Sequence, residues 1–281
     1  ETGVLSSGLS DDRSVRWSAK QMADAVKNLL EPAPVLAAPL GESVFEVGAM
    51  VSGRFEILEK LGTGGVATTW KVRDIFEEGN LKVLKQPHDE SSFLIAVAEF
   101  SNAKKLNHPG CSKTREVHER PLPGFLISEY IPGVTLLEKS KELDFGISQA
   151  REIAKQCLSI LSYIHQENLV HGDLSPKNII VGDNGKVTLI DFGLLAPIGK
   201  IQQGGTPTTI APEVAAGKPR SAQADLYSLG STIVRILLGR QPNHPIVNSE
   251  GQAEIVSQPL TDQEIQQWGE GGEAFLKVLL R

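Results

Sequence analysis

The change in character of the chain around Pro132 and Gly133 is the feature that most restricts its fold. Before this point, from Arg54 to Tyr130, short apolar runs bounded by glycines indicate antiparallel strands with one helix inserted among them. After it, a long helix is predicted from apolar residues at i, i+3, i+4 and i+7 spacing: Ile147, Ala150, Ile153, Ala154, Cys157, Ile160, Leu161 and Ile164. A small β-rich half followed by a helical half predicts an α+β fold of two lobes. A cleft between two lobes is a common ligand site.

The same patterns predict further strands and helices. Five strands are expected at Phe55–Leu61, Thr68–Arg73, Leu81–Lys85, Thr114–His118 and Gly124–Glu129. Helices are expected at Phe93–Leu106, which ends at a His-Pro-Gly stop signal, at Ala222–Leu238 and at Ala274–Leu280. The last of these is expected to be one of the final helices of the helical half.

An N-terminal extension, residues 1–47, is predicted to precede the folded domain of residues 48–281. Within the extension, Ser14 to Leu30 has apolar residues at roughly helical spacing and predicts a short amphipathic helix. This helix is expected to dock on its own domain, with binding to a partner as the alternative. The proline- and alanine-rich run of residues 32–39 predicts an extended linker.

Composition excludes several classes of function. The 281 residues are 40% hydrophobic and 22% charged, which is typical of a soluble globular protein with a substantial core. The net charge of −6 and the lack of a dense Lys/Arg stretch argue against nucleic acid as a partner. No apolar run reaches membrane-spanning length, so no membrane partner is expected. Nothing recommends a disulfide between Cys111 and Cys157, and a reducing, cytoplasmic location is expected.

Two segments of the β-rich half carry candidate phosphate-binding groups. Leu61-Gly62-Thr63-Gly64-Gly65 lies between two predicted strands, where glycines would let backbone N–H groups approach an anionic phosphate. An ordinary hairpin turn fits this segment equally well. Lys85 ends the next strand, and Glu99 lies on the following predicted helix. An ion pair between them would hold Lys85 against phosphate oxygens. The alternatives are a solvated lysine and a surface carboxylate.

The densest group of reactive side chains, His171–Asn178, follows the long helix directly. In this loop Asp173 can orient a hydroxyl group and accept its proton, and Asn178 can ligate Mg²⁺. A polar turn is the alternative, which this density of functional groups disfavours. The next apolar run, residues 187–190, ends in Asp191. A carboxylate at the mouth of a core requires a metal or another cation to compensate its charge.

Three further motifs follow in order: Asp191-Phe192-Gly193, Ala211-Pro212-Glu213 and Asp225–Gly230. The whole set, from Gly62 to Gly230, resembles the eukaryotic-type protein kinases, including those found in bacteria, in motif order and nearly in spacing. The resemblance covers most of the chain after Arg54. It implies a bilobal α+β fold with ATP in the cleft. The small antiparallel lobe with one helix would be residues 48–130, and the larger helical lobe residues 131–281.

The resemblance also implies a role for each residue of the cleft. Lys85 would anchor phosphates with Glu99 as its partner, and Asp173 would be the catalytic base. Asn178 and Asp191 would bind Mg²⁺. The nucleotide would be held by a glycine loop, by backbone groups between the lobes and by side chains around adenine: Leu61, Gly62, Gly64, Gly65, Thr69, Val83, Glu129, Ile131 and Ile180. Asp225 would hydrogen-bond back to the loop that carries the base.

Several residues depart from the family pattern. Ala67 replaces the third glycine of the phosphate loop, Gly172 stands where many members have arginine, and Ser175 stands where Ser/Thr kinases have lysine. Lys177 lies where many tyrosine kinases carry an arginine, and we expect it to reach back to the transferred phosphate, with a lysine that points into solvent as the alternative. Thr206 resembles the threonine that contacts the catalytic aspartate in Ser/Thr kinases, so Ser/Thr specificity is expected.

The expected function is transfer of the γ-phosphate from Mg-ATP to Ser/Thr hydroxyls of a protein substrate. An ATP-binding pseudokinase is one alternative, indicated by Ser175, Ala67 and a large lobe that is expected to be abbreviated or trimmed before the family's final helices. A small-molecule phosphotransferase is another, because antibiotic and choline kinases also use a His-Gly-Asp loop. Ala211-Pro212-Glu213 and Asp225–Gly230 argue against it, since they resemble the protein-kinase substrate platform.

Overall fold

The computed structural model describes residues 45–77, 80–202, 204–240, 243–247, 253–257 and 260–266, without the side chains of residues 98, 99, 243–247, 253–257 and 265. The predicted helices at 14–30 and 274–280 and the predicted linker lie outside these residues. The described residues belong to one compact unit that begins at Phe45, three residues before the predicted domain boundary. The ring of Phe45 packs edge-on against Phe125, with 6.4 Å between ring centroids.

The first part of this unit is a six-stranded antiparallel sheet with one helix. The strands are β1 (Met50–Val51), β2 (Phe55–Thr63), β3 (Ala67–Asp74), β4 (Asn80–Pro87), β5 (Thr114–His118) and β6 (Phe125–Glu129). Their order in the sheet is β1-β2-β3-β4-β6-β5. Helix α1 (Glu90–Ala103) connects β4 to β5. The five predicted strands and the inserted helix are confirmed.

Strand β2 and helix α1 have boundaries that differ from the sequence-based prediction. Strand β2 continues to Thr63, so Gly62 is part of the strand and pairs with Thr69 instead of lying in a loop. Helix α1 begins at Glu90 because the side chain of Asp89 accepts a hydrogen bond from the Ser92 N–H at 2.8 Å. The helix ends at Ala103, three residues before the predicted end at Leu106.

Side-chain alternation gives the sheet two different faces. One face forms a core of Val51, Phe55, Ile57, Trp70, Val72, Leu84, Phe125 and Ile127. On the other face, Thr69 lies opposite Lys85, and Val83 lies two residues before Lys85 on the same strand. Helix α1 packs through Phe93 and Ala96 onto Leu126 of β6, which pairs with Lys85. The sheet therefore presents the predicted nucleotide residues Thr69, Val83 and Lys85 on a single face.

A charge network connects Arg54 to the end of β3 and to β5. Asp74, Glu77 and Glu116 bring carboxylate oxygens within 4.8 Å of one another. Arg54 donates to both Asp74 oxygens, at 2.9 and 2.6 Å, and to Glu116 at 2.9 and 3.0 Å, while Lys82 donates to Glu77 at 2.7 Å. The Arg54 guanidinium holds the pKa of Asp74 below its usual value, against the opposing effect of burial. Arg54 and Lys82 thus offset most of the negative charge of the three carboxylates.

Replacing Arg54 by methionine is expected to lower the free energy of unfolding by roughly 3 kcal/mol, because it leaves the fully buried Asp74 side chain without its cation. Chemical denaturation measures this loss. Arg73→Met is the control, since Arg73 pairs with Glu56 at a solvent-exposed site and contributes at most about 1 kcal/mol. The Asp74 contribution is present above about pH 4 and is lost as the pH falls. A variant that keeps the full acid sensitivity of the native chain would contradict this assignment.

The second part of the unit is mainly helical. Its long helices are α3 (Ile147–Gln166) and α5 (Ala222–Leu238), with the short helices α2 (Leu136–Lys139), α4 (Pro212–Ala215) and α6 (Asp262–Gln266). The predicted helix at Ala222–Leu238 is confirmed, and so is the apolar stripe of α3, seven of whose residues from Ala150 to Ile164 are buried. Together with Leu174, Leu189 and Leu229 they form the larger core.

Short strands within the helical part place the polar loops. They are β7 (Val134–Thr135), β8 (Leu169–Val170), β9 (Ile179–Val181), β10 (Val187–Leu189) and β11 (Ala196–Pro197), with a separate hairpin of β12 (Asn243–Val247) and β13 (Ala253–Ser257). Residues 171–178 connect β8 to β9, and Asp191 follows β10, which pairs antiparallel with β9. The end of β10 therefore lies beside the start of β9, which brings Asp191 close to Asn178.

Cys111 and Cys157 are both buried free thiols, and burial raises the pKa of each to about 12. They are therefore packing residues with little thiolate character at neutral pH. Among the described residues, no helix combines the length and apolarity needed to cross a bilayer.

Candidate active site

An ion pair joins the sheet to the helical part at the predicted phosphate site. The Lys85 Nζ donates to Asp191 Oδ1 at 2.8 Å, although the two residues are 106 positions apart. Burial acts to raise the pKa of Asp191, but the Lys85 ammonium, with smaller contributions from His171 and the Gly193 N–H, holds the pKa below its usual value. The cation that compensates Asp191 is thus a lysine of the chain itself. Both side chains remain partly exposed, at 27% and 43%, so a ligand can reach them.

Glu99, the predicted partner of Lys85, lies in helix α1, which packs on the sheet that carries Lys85. Its side chain is outside the described part of the structure, so the Lys85–Glu99 ion pair stays a prediction. The position of α1 is consistent with it, because the helix packs on Leu126, the residue that pairs with Lys85 across the strands.

The predicted base, Asp173, is held by donors from two directions. Its Oδ1 accepts from both the N–H and the hydroxyl of Thr206, each at 2.8 Å. Its Oδ2 accepts from Asn178 Nδ2 at 3.2 Å, and the same amide group donates to the Asp173 backbone carbonyl at 2.8 Å. These bonds fix the carboxylate while leaving it partly exposed. An ionised carboxylate fixed in this way can orient a hydroxyl group and accept its proton.

The loop that carries this base, residues 171–178, is called the catalytic loop below. Asp225 of helix α5 accepts from the backbone N–H of His171 at 2.8 Å and of Gly172 at 2.9 Å. His165, in the last turn of α3, contacts Asp225 Oδ2 at 2.9 Å. The side chain of Asp225 is 3% exposed, so its role is to hold the catalytic loop, as the sequence predicted.

Asn178 and Asp191 each have a side-chain oxygen that accepts no hydrogen bond within the described residues, and such oxygens suit a divalent cation. The Nδ2 of Asn178 is used within the catalytic loop, and no hydrogen bond to its Oδ1 occurs within the described residues. At Asp191, Oδ1 accepts from Lys85 and from Gly193 N–H, while Oδ2 has no partner in the same part of the chain. Carboxylate and amide oxygens are the protein ligands that Mg²⁺ prefers. The backbone of Asp191 has a φ of 59°, a conformation that is uncommon for a non-glycine residue and clusters at functional sites.

Gly62, Gly64 and Gly65 of the predicted phosphate-binding segment have free space around their α-carbons. A Cβ at Gly62 or Gly65 would meet no atom within 4 Å, and one at Gly64 would meet only the Ala67 carbonyl at 3.7 Å. None of the three glycines has a positive φ. The fold itself therefore does not require glycine at these positions, whereas close approach of backbone N–H groups to a bound phosphate would.

The remaining predicted nucleotide residues lie on β2, β6 and β9 and in the connection that follows β6. Ile180 is buried in β9 and Leu61 is 44% exposed near the end of β2. Glu129 ends β6, and Ile131 follows it in the connection between sheet and helical part. Within the described residues, neither the N–H nor the carbonyl of Ile131 forms a backbone hydrogen bond, so both are available to a purine ring.

A cavity of about 630 Å³ lies beside this connection. It is lined by Cys111, Lys113, Glu129, Ile131 and Thr188, among others. It thus includes Glu129 and Ile131 of the predicted nucleotide residues, whereas Leu61, Val83 and Ile180 do not line it.

The departures from the family pattern have different structural surroundings. Ser175 is 3% exposed, whereas Lys177 is exposed to solvent. Gly172 has a φ of 81°, and a Cβ there would lie 2.5 Å from the Leu194 carbonyl oxygen. Arginine is thus excluded at position 172 by the packing of the neighbouring segment. Arg220 donates to the Gly172 carbonyl at 2.6 Å. This residue could not be predicted from the sequence, because a single arginine between a proline and a helix start belongs to no motif.

Comparisons with known proteins find similarity to protein kinases. The profile of the protein kinase domain matches residues 55–280. The chain is 34% identical to the serine/threonine-protein kinase PknB of Mycolicibacterium smegmatis over 211 residues, which are 68% of this chain and 33% of the relative. It is 30% identical to PknB of Mycobacterium tuberculosis over 210 residues (68% and 33%) and 28% identical to PrkC of Bacillus subtilis over 207 residues (70% and 32%). The chain spans about a third of the length of these curated relatives.

Proposed function

This chain belongs to the protein kinase family, and on that premise we propose that it transfers the γ-phosphate of Mg-ATP to Ser/Thr hydroxyls of proteins. The observation that carries the proposal is the position of Asp173. Its carboxylate is hydrogen-bonded at one oxygen to Thr206 and at the other to Asn178. A base, an oxygen ligand for a metal and the segment that receives the acceptor thus form one connected group.

The roles of the chain's residues follow from this geometry. Asp173 orients the acceptor hydroxyl and takes its proton as the oxygen bonds to the γ-phosphorus, while the bond from phosphorus to the β–γ bridging oxygen breaks and ADP leaves. Mg²⁺ bound through Asn178 and Asp191 would neutralise negative charge on the phosphates. Lys85, held by Asp191, donates to phosphate oxygens from the sheet side of the cleft.

The residues after Gly193 favour a protein acceptor over a small alcohol. Thr206 contacts the base directly, and Ala211 and Val214 near the start of helix α4 form a small core with Ala224 of α5. These residues lie within the part of the chain that matches the protein kinase domain. The relatives are named serine/threonine-protein kinases, which supports Ser/Thr acceptors and disfavours a pseudokinase.

Incubation of the purified chain with Mg²⁺ and γ-labelled ATP tests the proposal. Label is expected on the chain itself or on a generic protein such as casein, and not with Asp191→Ala, which lacks the metal ligand. Mg-ATP is also expected to raise the melting temperature, since only the folded state binds it, and Asp191→Ala is expected to abolish most of that metal-dependent increase.

Three other outcomes are informative. A rise in melting temperature without phosphate transfer would indicate a pseudokinase. Label found only on a small alcohol would indicate a small-molecule phosphotransferase. The lack of any thermal response to millimolar Mg-ATP would contradict both catalytic functions.

A further inference from the structure

Arg220 joins two backbone segments that meet at the base. It lies immediately before Ser221, the N-cap of helix α5, and it is only 3% exposed. Its Nη1 donates to the Gly172 carbonyl and its Nη2 to the Gly204 carbonyl, both at 2.6 Å. Gly172 directly precedes Asp173, and Gly204 lies two residues before Thr206. One guanidinium therefore connects the two stretches whose side chains form the Asp173–Thr206 contact.

The main chain of Arg220 binds the same region. Its N–H donates to the Lys200 carbonyl at 3.0 Å, and its carbonyl accepts from the Gly199 N–H at 2.8 Å. These contacts, with the one at Gly204, fall within residues 191–213, called the activation segment below. A single residue thus holds the activation segment at Gly199, Lys200 and Gly204.

Gly172 and Arg220 are sterically matched. A Cβ at Gly172 would lie 3.2 Å from the Arg220 Nη1, in addition to its collision with the Leu194 carbonyl oxygen at 2.5 Å. Any side chain at position 172 would therefore displace the guanidinium or the start of the activation segment. The catalytic loop has glycine where many family members have arginine, and the guanidinium of Arg220 packs beside that glycine.

The energetics favour a geometric role for Arg220 over a stabilising one. Its side-chain hydrogen bonds in the described residues go to carbonyl oxygens, and its buried Nε has no partner there. Burial lowers its pKa, and the charges of Asp225 and Asp173 oppose that effect. A buried cation without a bonded carboxylate adds little net stability, because desolvation cancels much of the attraction. What its two short bonds do provide is a fixed spacing between catalytic loop and activation segment.

We propose that Arg220 is a positioning residue for phosphate transfer, which holds the activation segment at Gly204 and thereby keeps Thr206 against Asp173 without any phosphate on the segment. Residues 194–205 contain no Ser, Thr or Tyr, so within the segment only Thr206, Thr208 and Thr209 could carry one. The kinetic consequence rests on the proposed function, whereas the structural consequence does not.

A double-mutant cycle on kcat tests the kinetic part. Arg220→Lys keeps the charge but cannot reach both carbonyls, and it is expected to lower kcat by about 10–100-fold, with KM for ATP within about twofold, because it misplaces the acceptor segment. Arg220→Met is expected to lose at least as much. In a Thr206→Val background, Arg220→Lys is expected to cost less than about threefold, since both residues act on the same contact. Arg73→Met is the arginine control. Fold-losses that multiply in the double variant would overturn the proposal.

Hydrogen exchange tests the structural part without any need for catalysis. In Arg220→Lys, the amides of Gly199 and Thr206 are expected to exchange at least about tenfold faster, while amides of helix α3 stay unchanged. Phosphatase-treated native chain is expected to keep its full kcat. Unchanged exchange at Thr206, global unfolding of Arg220→Lys, or loss of activity after dephosphorylation of Thr206, Thr208 or Thr209 would each overturn the proposal. If the native chain transfers no phosphate, the exchange result still decides the role of Arg220.

Discussion

Asp173→Asn is expected to lower kcat by about 10²–10⁴-fold while it leaves the affinity for Mg-ATP within about twofold. An amide has nearly the shape of the carboxylate, and its oxygen can still accept the two hydrogen bonds from Thr206. It cannot accept a proton at neutral pH. The amide NH2 replaces the oxygen that accepts the 3.2 Å bond from Asn178, so that bond is lost. Asn178, the proposed metal ligand, keeps its 2.8 Å bond to the backbone carbonyl of residue 173, and metal binding should survive the change. Steady-state kinetics and a Mg-ATP titration separate the two quantities.

Asp183→Asn is the matched control for this change. Asp183 is an exposed carboxylate in the turn between β9 and β10, and its replacement should leave kcat unchanged. If Asp173→Asn weakened Mg-ATP binding as strongly as it lowered kcat, the residue would be structural, and the assignment of the base would be wrong.

Lys177→Ala is expected to lower kcat by about 10–10³-fold with nearly unchanged ATP affinity. Negative charge spreads over the oxygens of the transferred phosphate in the transition state, and a nearby cation stabilises it. Ser175 cannot supply that charge, and it is buried, whereas Lys177 is exposed and directly precedes Asn178. We therefore expect Lys177 to supply this charge from the catalytic loop.

Two further variants make this test specific. Lys177→Arg keeps the charge and should retain most of the activity. Lys155→Ala removes a lysine that is 64% exposed on helix α3 and should have no effect. Full activity of Lys177→Ala would show that the charge at the transferred phosphate comes from another residue.

The sequence by itself determined most of the architecture. The α3 stripe from Ile147 to Ile164 and the strands around Lys85 were predictable because burial of one face imposes a local period of 3.6 or 2 residues. The order and spacing of the motifs likewise predicted that Asp173, Asn178 and Asp191 would share one site. Boundaries were less well predicted, since the start of α1 depends on a single cap, Asp89, and the end of β2 on pairing with β3.

Only the tertiary structure decided which polar groups meet. The Lys85–Asp191 pair spans 106 positions, and the bond from Arg220 to Gly172 spans 48. No periodicity encodes such contacts, because they depend on how the elements pack after each has formed. For the same reason Arg220 had no signal in the sequence, although its two bonds connect the catalytic loop to the activation segment. Local patterning determines which face of an element is buried, whereas the partner of a buried donor is determined by the closed fold.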